Sequence, residues 1–215
     1  MRLIAIDGPA GSGKSTVARA VASRLGLDYL DTGAMYRAVA YATIRGGVDP
    51  GDAERVAELA RSIELEVGDR VRVDGVDATA EIRGPEVTRT VSTVAANPLV
   101  RKEMVARQRA WAADHDGGVV EGRDIGSVVF PGADVKVYLT ASDTERASRR
   151  SKEMIELQYD QVAADIAKRD QIDSTRSASP LLVASDAVVI DTTGLEVETV
   201  IERILELAAK SGADA

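Results

Sequence analysis

The chain has 215 residues, 45% of them hydrophobic and 29% charged, which fits one folded domain and excludes a largely disordered chain. It has no cysteine and one histidine, which excludes a disulfide scaffold, a thiolate metal site and a cluster of histidine ligands within one chain. A net charge of −8 and only 3% aromatic residues argue against a partner that is nucleic acid or a membrane surface.

The first apolar run, residues 3–7, passes straight into a glycine loop, so the N-terminus reads as a strand and a turn rather than a leader. The expectation is a cytoplasmic protein. Gly8, Pro9, Ala10, Gly11, Ser12, Gly13, Lys14, Ser15 and Thr16 then fit the pattern G-x-x-x-x-G-K-[ST]. Glycines in this spacing let backbone N–H groups turn inward around phosphate oxygens, at the positive end of the helix that follows. Lys14 can reach the β- and γ-phosphates of ATP, and the Ser15 hydroxyl can join a Mg²⁺ shell. Val17, Val21 and Leu25 carry the helical period onward.

A short second strand is expected at 28–30, then a helix with Met35, Val39 and Ala42 on its apolar side. Residues 63–67 and 71–73 alternate in period two around Gly68-Asp69, which reads as a hairpin within a small antiparallel insert over 61–83. Asn97 and Pro98 suit the cap and first position of a helix bearing Val100, Met104, Gln108 and Trp111. Trp111 is read as core and His115 as a solvated loop residue. Further buried strands are expected at 119–121, 135–139 and 187–190. Ser142 with Glu145, and Thr193 with Glu196, match capping boxes at two more helix starts. Strands alternating with helices predict a doubly wound α/β sheet.

The phosphate loop alone does not separate a switch GTPase, a motor and a kinase. The guanine-reading tetrapeptide Asn-Lys-x-Asp is absent. Arginines recur near element ends instead: Arg37, Arg123, the group Arg146, Arg149 and Arg150, and Arg169 and Arg176 around Asp170 and Asp173. Together at the C-terminal edge of a parallel sheet, they suggest a second anionic ligand beside ATP. A phosphate acceptor is already ionised at pH 7 and needs no general base, so alignment and charge stabilisation suffice. An alcohol acceptor would want a positioned carboxylate, for which Asp31 and Asp124 are the candidates. A module that senses ATP without turnover is the alternative outside enzymes.

Four ordered segments carry a resemblance: 6–14 with the phosphate loop, 30–37 (Leu-Asp-Thr-Gly-Ala-Met-Tyr-Arg), 122–131 beginning Gly-Arg-Asp-Ile-Gly, and 169–176 (Arg-Asp-Gln-Ile-Asp-Ser-Thr-Arg). Over nearly its whole length the chain resembles the bacterial cytidylate kinases, a family of small nucleoside monophosphate kinases. The resemblance implies a P-loop fold over 1–215 with a five-stranded parallel sheet, an acceptor-binding insert enlarged by the 61–83 hairpin, and a lid near 142–160. It implies transfer of the ATP γ-phosphoryl to CMP or dCMP, with Mg²⁺, by a monomer. The chemistry would fall to Lys14, Arg123 and Asp124. Thr32, Arg37, Arg123 and Asp124 resemble the set around the CMP phosphate. Ser92, Arg101 and Arg176 resemble contacts to cytosine, and Arg169 and Asp173 those at the sugar. Asp31 and Glu121 stand where relatives hold metal-bound water, and one or two of Arg146, Arg149 and Arg150 would meet ATP. Many relatives read Gly-Lys-Gly-Thr in the loop; here Ser15 supplies the hydroxyl directly after Lys14.

Overall fold

Strand β1 (Arg2–Asp7) lies at the centre of a five-stranded parallel sheet in this computed structural model, which describes residues 2–153, 159–175 and 181–212. On one side it pairs with β6 (Gly117–Gly122), and β6 with β2 (Tyr29–Asp31). On the other it pairs with β7 (Val135–Thr140), and β7 with β8 (Val188–Asp191). Neighbouring strands β1 and β7 therefore lead to opposite flanks, and the loop after β1 opens where such sheets place ligands.

The side-chain alternation of β1 divides the core. Leu3 and Ala5 face one side with Leu30, Val39, Met104 and Val120; Ile4 and Ile6 face the other with Val17, Val21, Val137 and Ile204. The first layer is built by α2 (Thr32–Arg45), α4 (Pro85–Ala96) and α5 (Pro98–Asp114), the second by α1 (Lys14–Leu25) and α8 (Val197–Lys210). A third, smaller cluster joins Ala147 of α6 (Asp143–Glu153) to Val162 and Ile166 of α7 (Tyr159–Thr175), with Ala10 of the phosphate loop against it.

The hairpin expected at 61–83 is a three-stranded antiparallel sheet of β3 (Leu65–Val67), β4 (Val71–Val73) and β5 (Val76–Asp77). Its first turn takes three residues, Gly68 to Arg70, closed from Gly68 N to Arg70 O at 3.1 Å. The third strand is an addition: Asp74 and Gly75 both have positive φ (51° and 74°), the backbone of a tight two-residue hairpin. Helix α3 (Ala53–Ser62), capped by Asp52, precedes this sheet and was also not foreseen.

Caps fix where the functional loops end. Asp31 Oδ1 accepts Ala34 N at 2.9 Å and starts α2; Asn97 Oδ1 accepts Leu99 N at 3.0 Å and starts α5. Ser142 Oγ accepts Glu145 N at 3.3 Å at the start of α6. The second expected box fails. Thr193 turns back to donate to Asp191 Oδ1 at 2.7 Å and accepts Ser142 N at 2.8 Å, while α8 begins after Glu196 with no side-chain cap. A hydroxyl satisfied in its own turn is no longer offered to the helix.

Gly8 shows how tightly β1 meets its neighbour. Its φ is +150°, and an added Cβ would stand 2.0 Å from the Leu139 carbonyl oxygen. Gly8→Ala should therefore give little folded protein. Gly47→Ala, at φ +62° but with open space around it, should cost about 1 kcal/mol in a urea titration. Equal losses for the two would contradict this packing.

Candidate active site

The phosphate loop and the first turn of α1 form one wall of a cleft at the C-terminal edge of the sheet. Gly13 lies just before α1, so the free amides of the helix start face the cleft. Lys14 Nζ bends back to donate to Pro9 O at 2.7 Å. Burial pushes its ammonium down to about 7, with Arg123 and Arg169 adding and Glu121 and Asp7 opposing. Ala10, Gly11 and Gly13 to Thr16 line the cleft. Gly8, Pro9 and Ser12 form the back of the loop, Pro9 and Gly8 through their carbonyls to Lys14 and Arg123.

Opposite this wall, the ends of β2 and β6 bring Asp31, Thr32 and residues 121–124 together, because β2 and β6 pair in register from Tyr29 with Val119 to Asp31 with Glu121. Thr32 Oγ1 donates to Glu121 O at 2.6 Å, so its proton is spent on the backbone rather than offered to a phosphate. Glu121 is pushed up by burial and by Asp31, and it takes a hydrogen bond from Tyr29. Asp31 serves α2 through Oδ1, with Arg83 3.7 Å from Oδ2.

The cations cluster. Arg37, buried on α2, donates to Ile82 O and Thr88 Oγ1, both at 2.9 Å. Burial holds its guanidinium well below the usual range, and Arg169 and Arg150 push the same way. Arg169 is pushed down to about 10, first by burial and then by Arg123. Arg123 reaches Gly8 O at 3.1 Å, Asp170 at 3.5 Å and Asp173 at 3.2 Å. Charges that depress one another in a buried cleft favour an anion among them.

At the far end sits an ion pair of a different kind. Arg101 of α5 and Asp124, after β6, are joined directly, with side chains only 4% and 6% exposed. Arg101 also donates to Ala95 O at 3.3 Å and lies 5.3 Å from the centre of the Tyr36 ring.

The structure thus brings together Lys14, Ser15, Thr32, Arg37, Arg101, Arg123, Asp124, Arg169 and Asp173 from the sequence-derived set. Ser92 is displaced from it: this buried α4 residue faces an adjoining hollow between α4 and α7, shared with Ile166 and Arg169. Arg176 lies outside the described residues. Of the three arginines on α6, Arg150 lines the cleft. Arg146 is committed to Ala10 O, Asp143 and Asp170, and Arg149 to Thr192 and Glu145. His115 stands in the exposed turn after α5, as expected of a solvated loop residue, with its ring 4.4 Å from that of Trp111 and outside the cleft lining. Asp170 was overlooked as a contact. It meets Ala10 N at 3.4 Å, Arg123 and Arg146, and its placement beside Arg169 was the available signal.

Removing one partner of the Arg101–Asp124 pair leaves a buried charge alone. Arg101→Ala should cost about 3–5 kcal/mol in a urea titration. Arg24→Ala, which breaks exposed pairs with Glu198 and Glu202, should leave the midpoint nearly unchanged.

Similarity to known proteins agrees with this geometry. The model of the Cytidylate kinase family matches residues 4–210. Cytidylate kinase of Geobacillus kaustophilus is 50% identical over 213 residues, covering 95% of this chain and 95% of the relative. That of Desulfitobacterium hafniense is 49% identical over 213 residues, covering 95% and 91%. The bifunctional pantoate ligase/cytidylate kinase of Parasynechococcus marenigrum is 49% identical over 215 residues; this chain spans 43% of its length. A gluconokinase structure from Sinorhizobium meliloti superposes with a TM-score of 0.51 at 15% identity, covering 97% of this chain and 92% of that one, a likeness of fold. With a phosphate loop, a cluster of cations in one cleft and a family match over nearly its full length, the chain belongs to the cytidylate kinase family.

Proposed function

We propose that the chain transfers the γ-phosphoryl group of MgATP to the phosphate of CMP or dCMP, yielding ADP and CDP or dCDP. The observation that carries this reading is the cluster of buried Arg37 with half-buried Arg123, Arg150 and Arg169, mutually repelling, beside a phosphate loop. A nucleoside monophosphate supplies the missing negative charge at that place, and one chain supplies every residue of the site.

The acceptor phosphate is ionised, so the protein's task is alignment and charge stabilisation. Loop amides and Lys14 hold the triphosphate, Arg37 and Arg169 hold the acceptor phosphate, and Arg123 stands between the two. Both candidate bases are engaged elsewhere: Asp31 Oδ1 caps α2 and Asp124 pairs with Arg101. That disfavours an alcohol acceptor.

Asp124 is moved, in this reading, from the phosphate to the base, because a carboxylate repels a phosphate dianion. Side by side, Asp124 and Arg101 offer an acceptor and a donor, the complement of the cytosine N4–H and N3. Arg101 Nε is buried without an acceptor among the described residues, a deficit that a ligand acceptor would remove. Asp173 is then placed for the sugar hydroxyls. The 61–83 segment forms the acceptor-side insert, with Ile82 and Arg83 lining the cleft, and 142–160 the lid, with Arg150 its contribution.

The donor set fits Mg²⁺: the Ser15 hydroxyl, with Asp31 and Glu121 lining the same cleft, leaves room for phosphate oxygens and water, as this ion prefers. When bound, the ion supplies neutralisation of charge on the β- and γ-phosphates.

The test is ADP release with each common monophosphate. CMP and dCMP should turn over well, UMP poorly, and AMP and GMP hardly at all, since uracil puts an N–H where cytosine N3 accepts. Equal turnover of CMP and AMP would contradict the reading. Lys14→Ala should keep the fold and lose at least about a hundredfold in kcat; wild-type turnover would remove the loop from the chemistry.

A further inference from the structure

Asp7, the last residue of β1, is 5% exposed and has no part in the chemistry above. Both its oxygens are occupied: Oδ1 accepts Ile125 N and Oδ2 accepts Gly126 N, each at 2.7 Å. The reason lies in the sheet. Strands β1 and β6 run in register until Asp7 meets Gly122, so the chain leaving β6 must cross the end of β1. There it meets a carboxylate aimed at its amides. The next residue of the phosphate loop adds a third tie, because Gly8 O accepts Arg123 Nη1 at 3.1 Å. Residues 7 and 8 thus accept three hydrogen bonds from the segment of Arg123 and Asp124, one from the Arg123 side chain and two from the backbone directly after Asp124. The segment continues into a wide turn over Ile125–Val129, closed from Phe130 N to Ile125 O at 2.7 Å, so its position is fixed from both ends.

We propose that Asp7 is a positioning residue, whose carboxylate fixes the Arg123–Asp124 segment against the strand that carries the phosphate loop. Donor loop and acceptor-reading residues are then set from one point, and the distance between the two phosphates follows from it. The inference rests on the CMP reading above. Asp7 touches neither substrate; it acts through the backbone of Ile125 and Gly126. A displacement of about 1 Å in reacting groups costs on the order of a hundredfold in rate, so a two-point anchor here has leverage.

Asp7→Asn keeps the shape but replaces one acceptor by an NH₂ donor, which cannot serve two backbone N–H groups. Steady-state kinetics with CMP and UMP, together with calorimetric binding of ADP to the free enzyme, separate the possibilities. The expected result is a fall in kcat/KM for CMP on the order of tenfold to a hundredfold. The CMP over UMP preference should narrow, and the dissociation constant of ADP should stay within about twofold, because the anchored segment reads the acceptor rather than the loop. A merely structural role would lower kcat equally for both acceptors, with both KM values and the preference intact; that outcome overturns the proposal, as does a loss confined to ADP affinity. If Asp7→Asn does not fold, Asp7→Ser keeps one oxygen and leaves space for water at the second amide, and the same readouts apply. Wild-type enzyme without CMP turnover would overturn the functional reading and this inference together. Normal wild-type turnover beside an unaltered Asp7→Asn would overturn the inference alone.

Discussion

Positive charge crowded into one cleft is the constraint around which this molecule is arranged. Arg37, Arg123, Arg169 and Lys14 converge on one cleft, and burial alone disfavours the charge of three of them. Carboxylates balance part of that charge: Asp170 and Asp173 hold Arg123, and Asp170 also meets Arg146 and the amide of Ala10. Each contact uses a donor that a phosphate oxygen would also use. Under the proposed function, binding would exchange anions around donors already in place and keep the reorganisation at the moment of transfer small.

The carboxylates that hold Arg123 come from α7, whereas the Arg101–Asp124 pair comes from α5 and the chain after β6. Rigid and adjustable parts are therefore separate. The Arg101–Asp124 pair, the β6 end and the phosphate loop stand on the sheet and its two aliphatic layers. Helices α6 and α7 share a small cluster of their own, with Ala147, Val162 and Ile166. Among the described residues these three are the buried apolar side chains of the two helices, so little core ties them to the sheet.

What could be read from the sequence was whatever is local. The apolar run 3–7 and the glycine spacing after it specify a strand and a phosphate loop within sixteen residues, and both stand where expected. Asn97-Pro98 likewise carries its own cap. Pairings across the chain were not legible. Asp124 lies 23 residues from Arg101, and nothing in either segment says that the carboxylate is spent on a guanidinium rather than on a phosphate site. Thr193 has a capping-box partner at Glu196, yet a nearer carboxylate, Asp191, takes its proton first. Strand β5 has only two residues, too short for period-two alternation to register, although Asp74-Gly75 marked its turn. The resemblance narrowed the acceptor, but it gave roles to residues without their geometry, and Ser92 and Thr32 show the difference.

The exchange of anions is tested most directly by a crystal structure with CMP and a non-hydrolysable ATP analogue bound together. The Arg123 guanidinium should have left Asp170 and Asp173 and lie within hydrogen-bond distance of both the acceptor phosphate and the γ-phosphate, with the cytosine edge against Arg101 and Asp124. A complex in which Arg123 still holds Asp170 and Asp173 while both phosphates lie beyond its reach would contradict it.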